Sequence, residues 1–335
     1  MIATREQYAA MLDAASADGH ALAAVNVTSS ETLNGAMRGF AEVGADGIIQ
    51  ISTGGAEFAS GGAVRDMALG ARALAEYARV LGERYPVAIA LHTDHATPAR
   101  FGGFVQPLID ESRRRVAAGA PPLFNSHMFD GSTLPLEDNL RFSASLLDEL
   151  APLGVLLEVE TGAVGGEEDG VSGPTAGDHT TPAELLRVAD VLGTGERGRY
   201  LLAATFGNVH GVHAPGSVRL RPEILRDGQA ALAAAHPGAR FDYVFHGSSG
   251  SSADEVRAAI RNGVVKVNVD TDTQYAFTRA VADHVLTHYD GVLRIDGGVG
   301  DKGAYDPRAW GARAEHGMAT AVAETCAVTG SAGRA

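Results

Sequence analysis

The sequence predicts an α/β protein: a (β/α)8 TIM barrel forming one domain over residues 1–335. Two observations lead to that class. Eight short apolar runs recur along the chain with Ala-rich segments of helical spacing between them, the pattern of βα units around a parallel sheet. Seven of the eight runs also end in polar or Gly-rich clusters, and only a closed barrel brings every strand end to one face.

The runs cover residues 23–27, 47–51, 87–91, 123–126, 155–159, 200–205, 242–245 and 264–269. Segments 67–81, 140–150 and 253–262 carry apolar residues at helical spacing between them. The runs end in NVTSS, ISTGG, LHTDH, NSHMFDG, EVETG, FGNVHG, FHGSSG and VNVDTDTQ. An open doubly wound sheet would alternate in the same way. However, Gly54-Gly55 and Gly61-Gly62 lack the spacing of a dinucleotide-binding turn. No linker marks a second domain, and residues 329–335 are expected to form a disordered tail.

Acidic residues outnumber basic ones by 41 to 27, a net charge of -14 that opposes nucleic acid and anionic membranes. A phosphate ligand would therefore need local backbone N–H groups and a few well-placed cations. The lone Cys326 forms no intrachain disulfide, and MIATREQYAAML lacks a signal-peptide pattern, so a cytoplasmic protein is expected. No apolar stretch approaches the roughly 20 residues that a membrane span requires.

The ends of the third, sixth and seventh runs place His92-Thr93-Asp94-His95, His210 and His246 on the converging face. Three imidazoles that leave a fourth position open are what catalytic zinc requires. His20, His236, His284, His288 and His316 fall in helical or loop contexts and are expected at the surface. Glu158 and Glu160, two apart on one strand, share a face. Glu167 and Glu168 sit in the glycine-flanked GGEEDG, which suggests a mobile flap carrying a general base. Gly247-Ser248-Ser249-Gly250-Ser251 precedes a helix and lies beside Asp270-Thr271, as in a barrel's phosphate site.

Together, LHTDH, EVETGAVGGEEDG, TFGNVHGVHAPG, FHGSSGS, VVKVNVDTDTQYAFTR and AYDPRAW resemble the class II fructose-bisphosphate aldolases, particularly the actinobacterial type. The resemblance runs from about Ile2 to near Val328. It implies a zinc-dependent TIM-barrel lyase, dimeric or larger, that interconverts fructose 1,6-bisphosphate with dihydroxyacetone phosphate and glyceraldehyde 3-phosphate. By position it implies His95, His210 and His246 as zinc ligands, with Glu160 serving a second or displaced divalent ion; a monovalent cation is also allowed for. It gives Asp94 the proton exchange with the aldehyde-derived hydroxyl, Glu168 the proton on the ketose carbon, and Asn268 the enediolate. Gly211, Gly247, Ser249, Asp270 and Thr271 then surround the ketose phosphate, and Asn26 and Ser52 lie toward the other end of the substrate. Arg308 would reach a neighbouring subunit's site.

Zinc on the ketose oxygens lets a carboxylate act as base without a Schiff-base lysine, and Lys266 and Lys302 are the only lysines. Some positions depart from the family pattern. GVHAPG places His213-Ala214 where the family has Tyr-Lys, Ser248 replaces a glycine, and the stretch from Val171 to Thr181 is short. These changes raise, as the alternative, a biosynthetic paralogue with a changed donor or acceptor. A metal-dependent hydrolase is disfavoured because the first strand ends in NVTSS rather than a His-x-His pair. For a non-catalytic binding protein, Asp94→Ala or Glu168→Ala would change ligand affinity and not turnover.

Overall fold

A computed structural model of the chain describes residues 1–162, 164–168, 171–172, 179–213 and 218–335, apart from the side chains of residues 167, 168, 171 and 172. In chain order the strands are β1 Leu22–Asn26, β2 Gly47–Ile51, β3 Ile89–Ala96, β4 Ser126–Phe129, β5 Leu156–Thr161, β6 Gly165–Glu168, β7 Val171–Ser172, β8 Tyr200–Ala204, β9 Val209–His210, β10 Tyr243–Phe245 and β11 Val264–Val269. The α-helices are α1 Arg5–Asp18, α2 Ser30–Val43, α3 Thr53–Ala59, α4 Met67–Gly82, α5 Pro98–Phe101, α6 Val105–Ala117, α7 Leu136–Leu150, α8 Pro182–Leu192, α9 Glu223–Ala235, α10 Ala253–Arg261, α11 Thr271–Thr287, α12 Tyr289–Leu293, α13 Lys302–Tyr305 and α14 Pro307–Thr329.

Strands β1, β2, β3, β4, β5, β8, β10 and β11 close into a parallel barrel in that order, with β11 returning to β1. The helices form the outer layer of this single domain, as the alternating pattern predicts. Alternation along the strands divides the core in two. Ala23 and Val25 face the helices with Leu33, Met37 and Phe40, whereas Leu22 and Ala24 fill the barrel with Ile48, Ala90 and Leu201. Tyr8, Leu12 and Ala15 of α1 join the inner group, so α1 plugs the N-terminal mouth. The opposite mouth is left for chemistry.

The structure moves several sequence boundaries. β3 runs through LHTDH instead of ending before it, and β4 begins at Ser126, three residues beyond the predicted start. In both cases polar inward-facing residues belong to the strand, because the barrel interior pairs them with each other. The expected tail is tied down: Gly333 N–H donates to Val43 O, Ala335 N–H to Gly44 O, and Ser331 is buried. Among the histidines expected at the surface, His20 and His284 are buried instead. The carbonyl of Ala304 lies 2.6 Å from His284 Nε2, which satisfies the ring in place of water.

Candidate active site

Polar side chains cluster where β3, β5, β9, β10 and β11 end, at the open mouth. Asp94 and His95 are sequence neighbours, and regular strand alternation would send them to opposite faces. Between Thr93 and Ala96 the register with β4 shifts, and His95 takes φ 40°, a left-handed conformation that is rare for a residue with a side chain. This bulge aims both residues into the mouth. Strain of this kind persists at functional sites because the surroundings enforce it.

His95 meets His210 with ring centroids 5.3 Å apart and His246 at 4.8 Å. One ring nitrogen from each of the three lies within 4.8 Å of the others. A second group, His95, Asp130 and Glu160, shares His95. Glu160 Oε2 is 3.7 Å from His95 Nδ1 and 3.5 Å from His246 Nδ1. Glu160 Oε2 and His246 Nδ1 are both buried without a hydrogen-bond partner. Four tetrahedral donors about 2.0–2.1 Å from one zinc stand about 3.3 Å apart. Buried donors at such separations, too far apart to bond one another, fit a divalent ion.

Electrostatics fit the same ion. Burial opposes charge on Asp130, yet the His95 imidazole and the Ser132 hydroxyl outweigh it and hold the carboxyl down at about 2. Burial likewise works against a proton on His246, but Glu158 and Glu160 override it and lift the imidazole to about 9. The carboxylates thus prepare the site for positive charge, which a metal would supply by displacing that proton.

Asp94 is fully buried. Asn26 Nδ2 donates to its Oδ2 at 2.9 Å, Gln50 Nε2 to the same oxygen at 3.1 Å, and Asn268 Nδ2 to Oδ1 at 3.3 Å. The carboxylate is fixed beside the histidine cluster. Asn26, predicted toward the far end of the substrate, is therefore also a direct anchor of Asp94.

A cleft of about 270 Å³ opens next to the histidines, lined by Asn26, His210, Gly211, Gly247, Ser248, Ser249, Asn268, Asp270 and Thr271 among others. Its described lining contains no Lys or Arg, so an anion there would be held by backbone N–H groups and hydroxyls. Ser248 does not obstruct it, since its hydroxyl donates to Asn268 O at 2.8 Å. Ser249 donates to Asp272 at 3.2 Å. The loop runs into α10, where Ser252 and Glu255 form a capping box.

Two glycines grip β9, the strand that carries His210. A Cβ on Gly166 would lie 2.1 Å from His210 O, and one on Gly247 2.5 Å from Val209 O. Their φ angles, 97° and 63°, are left-handed as well. Gly247→Ala is therefore expected to displace β9 and cost roughly 1–2 kcal/mol in backbone strain. The cost would be read as a lowered Tm together with weaker metal binding.

The structure does not bring every predicted residue together. Ser52 is buried as the N-cap of α3, accepting from Gly55 N–H at 3.2 Å, and it does not line the cleft. Arg308 is exposed and paired with Asp306, also away from this chain's own cleft. The side chain of Glu168 and the whole of Ala214 lie outside the described residues. The backbone of β6, which bears Glu168, pairs with β9 through Gly165↔Val209 and Gly166↔His210, so the flap strand is attached to a histidine strand. Sequence reasoning missed Asp130 and Gln50. Both left a signal: Asp130 lies in the strand-end cluster NSHMFDG, and Gln50 is the one polar residue of the run GIIQI.

Comparison with known proteins follows the same lines. A family profile described as "Fructose-bisphosphate aldolase class-II" matches residues 6–334. Proteins named fructose-bisphosphate aldolase from Streptomyces galbus and Mycobacterium leprae are 56% and 54% identical, over 99% and 97% of this chain and 98% and 96% of their own. The crystal structure of a fructose-bisphosphate aldolase from Campylobacter jejuni superposes with TM-score 0.88 at 32% identity, covering 100% of this chain and 97% of that one.

Proposed function

The chain belongs to the class II fructose-bisphosphate aldolase family, and we propose how its residues divide the work of a reversible aldol cleavage of fructose 1,6-bisphosphate. The observation that carries the proposal is the group His95, His210 and His246 beside the buried, triply anchored Asp94. These histidines would hold Zn2+, with Glu160 and Asp130 positioned for a second or displaced cation. When bound, zinc stabilises negative charge developing on the ketose oxygens.

The chain's own groups do the rest. Asp94 exchanges the proton of the substrate hydroxyl that becomes the aldehyde, and its three amide donors keep the carboxylate aimed at that oxygen. Asn268 lies between Asp94 and the cleft and orients the ketose part. Glu168 takes and returns the proton on the ketose carbon, carried in on a strand paired to β9. Gly211, Gly247, Ser249, Asp270 and Thr271 surround the ketose phosphate, and Ser52 takes the far end of the substrate with Arg308.

Because Arg308 lies away from its own chain's cleft, we place it in the site of a second copy, in a homodimer. The exposed apolar side chains of Tyr275, Leu286, Tyr289, Leu293, Val299 and Tyr305 sit on α11 and the segment after it, and a second copy would cover them. Mixing two inactive variants, Asp94→Ala and Arg308→Ala, is expected to restore activity that neither has alone, because hybrid dimers contain one intact site. A mixture that stays inactive while exchanging subunits would rule out the shared site. No described helix is long and apolar enough to cross a membrane. Cytoplasmic residence belongs to the same proposal.

Ala214 replaces the family's lysine near the ketose phosphate, and the cleft's described lining offers no other cation. A charge-assisted contact contributes about 1.5–3 kcal/mol, or roughly tenfold or more in binding. Ala214→Lys is thus expected to lower KM for fructose 1,6-bisphosphate about tenfold with kcat little changed. Steady-state triose phosphate formation tests the assignment: turnover on this substrate supports it. Failure to turn over, with cleavage of a different ketose, would favour the paralogue with a changed donor.

A further inference from the structure

The mechanism leaves Lys266 without a task, although it is fully buried inside the barrel. A buried ammonium is costly unless partners compensate it, and this one has two. Nζ lies 2.8 Å from Glu158 Oε2 and donates to Asn268 Oδ1 at 2.8 Å. Each partner leads to a different arm of the active site.

The first arm ends at the histidine cluster. Glu158 Oε1 is 2.8 Å from His246 Nε2, on the far side of the ring from Nδ1, which faces Glu160. Glu158 thereby fixes which nitrogen of His246 is turned toward a metal, a role that carboxylates commonly play behind metal-ligating histidines. Its other oxygen is held by Lys266 and lies 3.5 Å from His92 Nε2, while His92 Nδ1 is itself 2.8 Å from Ser126 Oγ.

The second arm ends at the acid–base group. An amide side chain has one acceptor and one donor end, and Lys266, which can only donate, takes the acceptor end of Asn268. The donor end must then face Asp94, where Nδ2 lies 3.3 Å from Oδ1. Flipped by half a turn, Asn268 would set its oxygen against a carboxylate. Asp94 and His246 are thus coupled through one ammonium group.

We propose that Lys266 is a positioning residue serving both arms: through Glu158 it aims His246 at the metal, and through Asn268 it fixes the amide that holds Asp94. The inference rests on the metal-site reading above. A lysine that only satisfied the core would leave zinc affinity unchanged once the protein folded.

The test measures zinc affinity by competition with a chromophoric chelator, alongside steady-state kinetics at saturating zinc. It uses the wild type, Lys266→Met, Glu158→Gln and the double variant. Lys266→Met is expected to bind zinc about 10–100-fold more weakly, the range typical for loss of a group behind a metal ligand. The double variant should bind no more weakly than Glu158→Gln alone, since both changes act through one carboxylate. With zinc restored, Lys266→Met should lose kcat by about tenfold or more with KM little moved, and Lys266→Arg should recover part of it. Lys266→Met leaves Glu158 unpaired; if it does not fold, the double variant, which removes both charges, and Glu158→Gln carry the test. Folded variants that bind zinc within about threefold of wild type, at unchanged kcat, would overturn the proposal. A wild type that binds no zinc would sink the metal-site reading as well, so the two failures are distinguishable.

Discussion

Asp94→Asn is expected to lower kcat for fructose 1,6-bisphosphate cleavage by about 10²–10⁴-fold, the usual contribution of a positioned general acid–base group. The substitution keeps the shape of the side chain and removes its charge and its capacity to exchange a proton. Its amide oxygen can still accept from Asn26 and Gln50, which both donate to Oδ2 in the wild type. Its amide nitrogen would instead face Asn268 Nδ2, donor against donor, at the Oδ1 position. That mismatch costs about 1–3 kcal/mol of stability, so the variant should fold with a lowered Tm. Zinc affinity should remain near wild type, because Asp94 is not part of the His95, His210, His246 group. A variant with near-normal kcat would remove Asp94 from the proton transfer.

His246→Ala should be comparably damaging, for a different reason. It removes one of three clustered imidazoles and also strands Glu158 and Glu160, both of which lie against the ring. Two buried carboxylates then lose a partner, and of these Glu158 keeps its ion pair with Lys266. Loss of the metal's stabilisation of developing charge, several kcal/mol, corresponds to about 10³-fold or more in rate. Added zinc at wild-type saturating concentration should not rescue turnover. Metal content by mass spectrometry under native conditions checks the cause. Full zinc occupancy with lost activity would point to His246 as a reacting group and not a ligand.

Much of this arrangement is legible in the sequence because it lies at strand ends. A (β/α)8 barrel has one functional face, and the residues that end its strands converge there whatever the loops do. His210 and His246 could therefore be placed together from position alone, and the GSSGS loop beside Asp270-Thr271 falls in the cleft for the same reason. What sequence could not give is geometry that breaks the regular period. The bulge at His95 depends on pairing with β4, a partner more than thirty residues away, and no local pattern encodes it. Lys266 and Gln50 sit inside strands among apolar neighbours, where side chains from across the barrel satisfy them. The pairing of β6 with β9, which attaches the flap strand to the His210 strand, joins segments separated by an entire βα unit.

On the proposed reading, clustered strand-end histidines hold a catalytic zinc for carbon–carbon bond cleavage. The most direct measurement is the turnover of fructose 1,6-bisphosphate by wild-type protein stripped with a chelator, before and after stoichiometric zinc is returned. The expected result is loss of cleavage on stripping and full recovery with zinc, with no covalent product when borohydride is added to enzyme and substrate. Undiminished cleavage by metal-free protein, with substrate trapped on Lys266 or Lys302, the chain's only lysines, would contradict it.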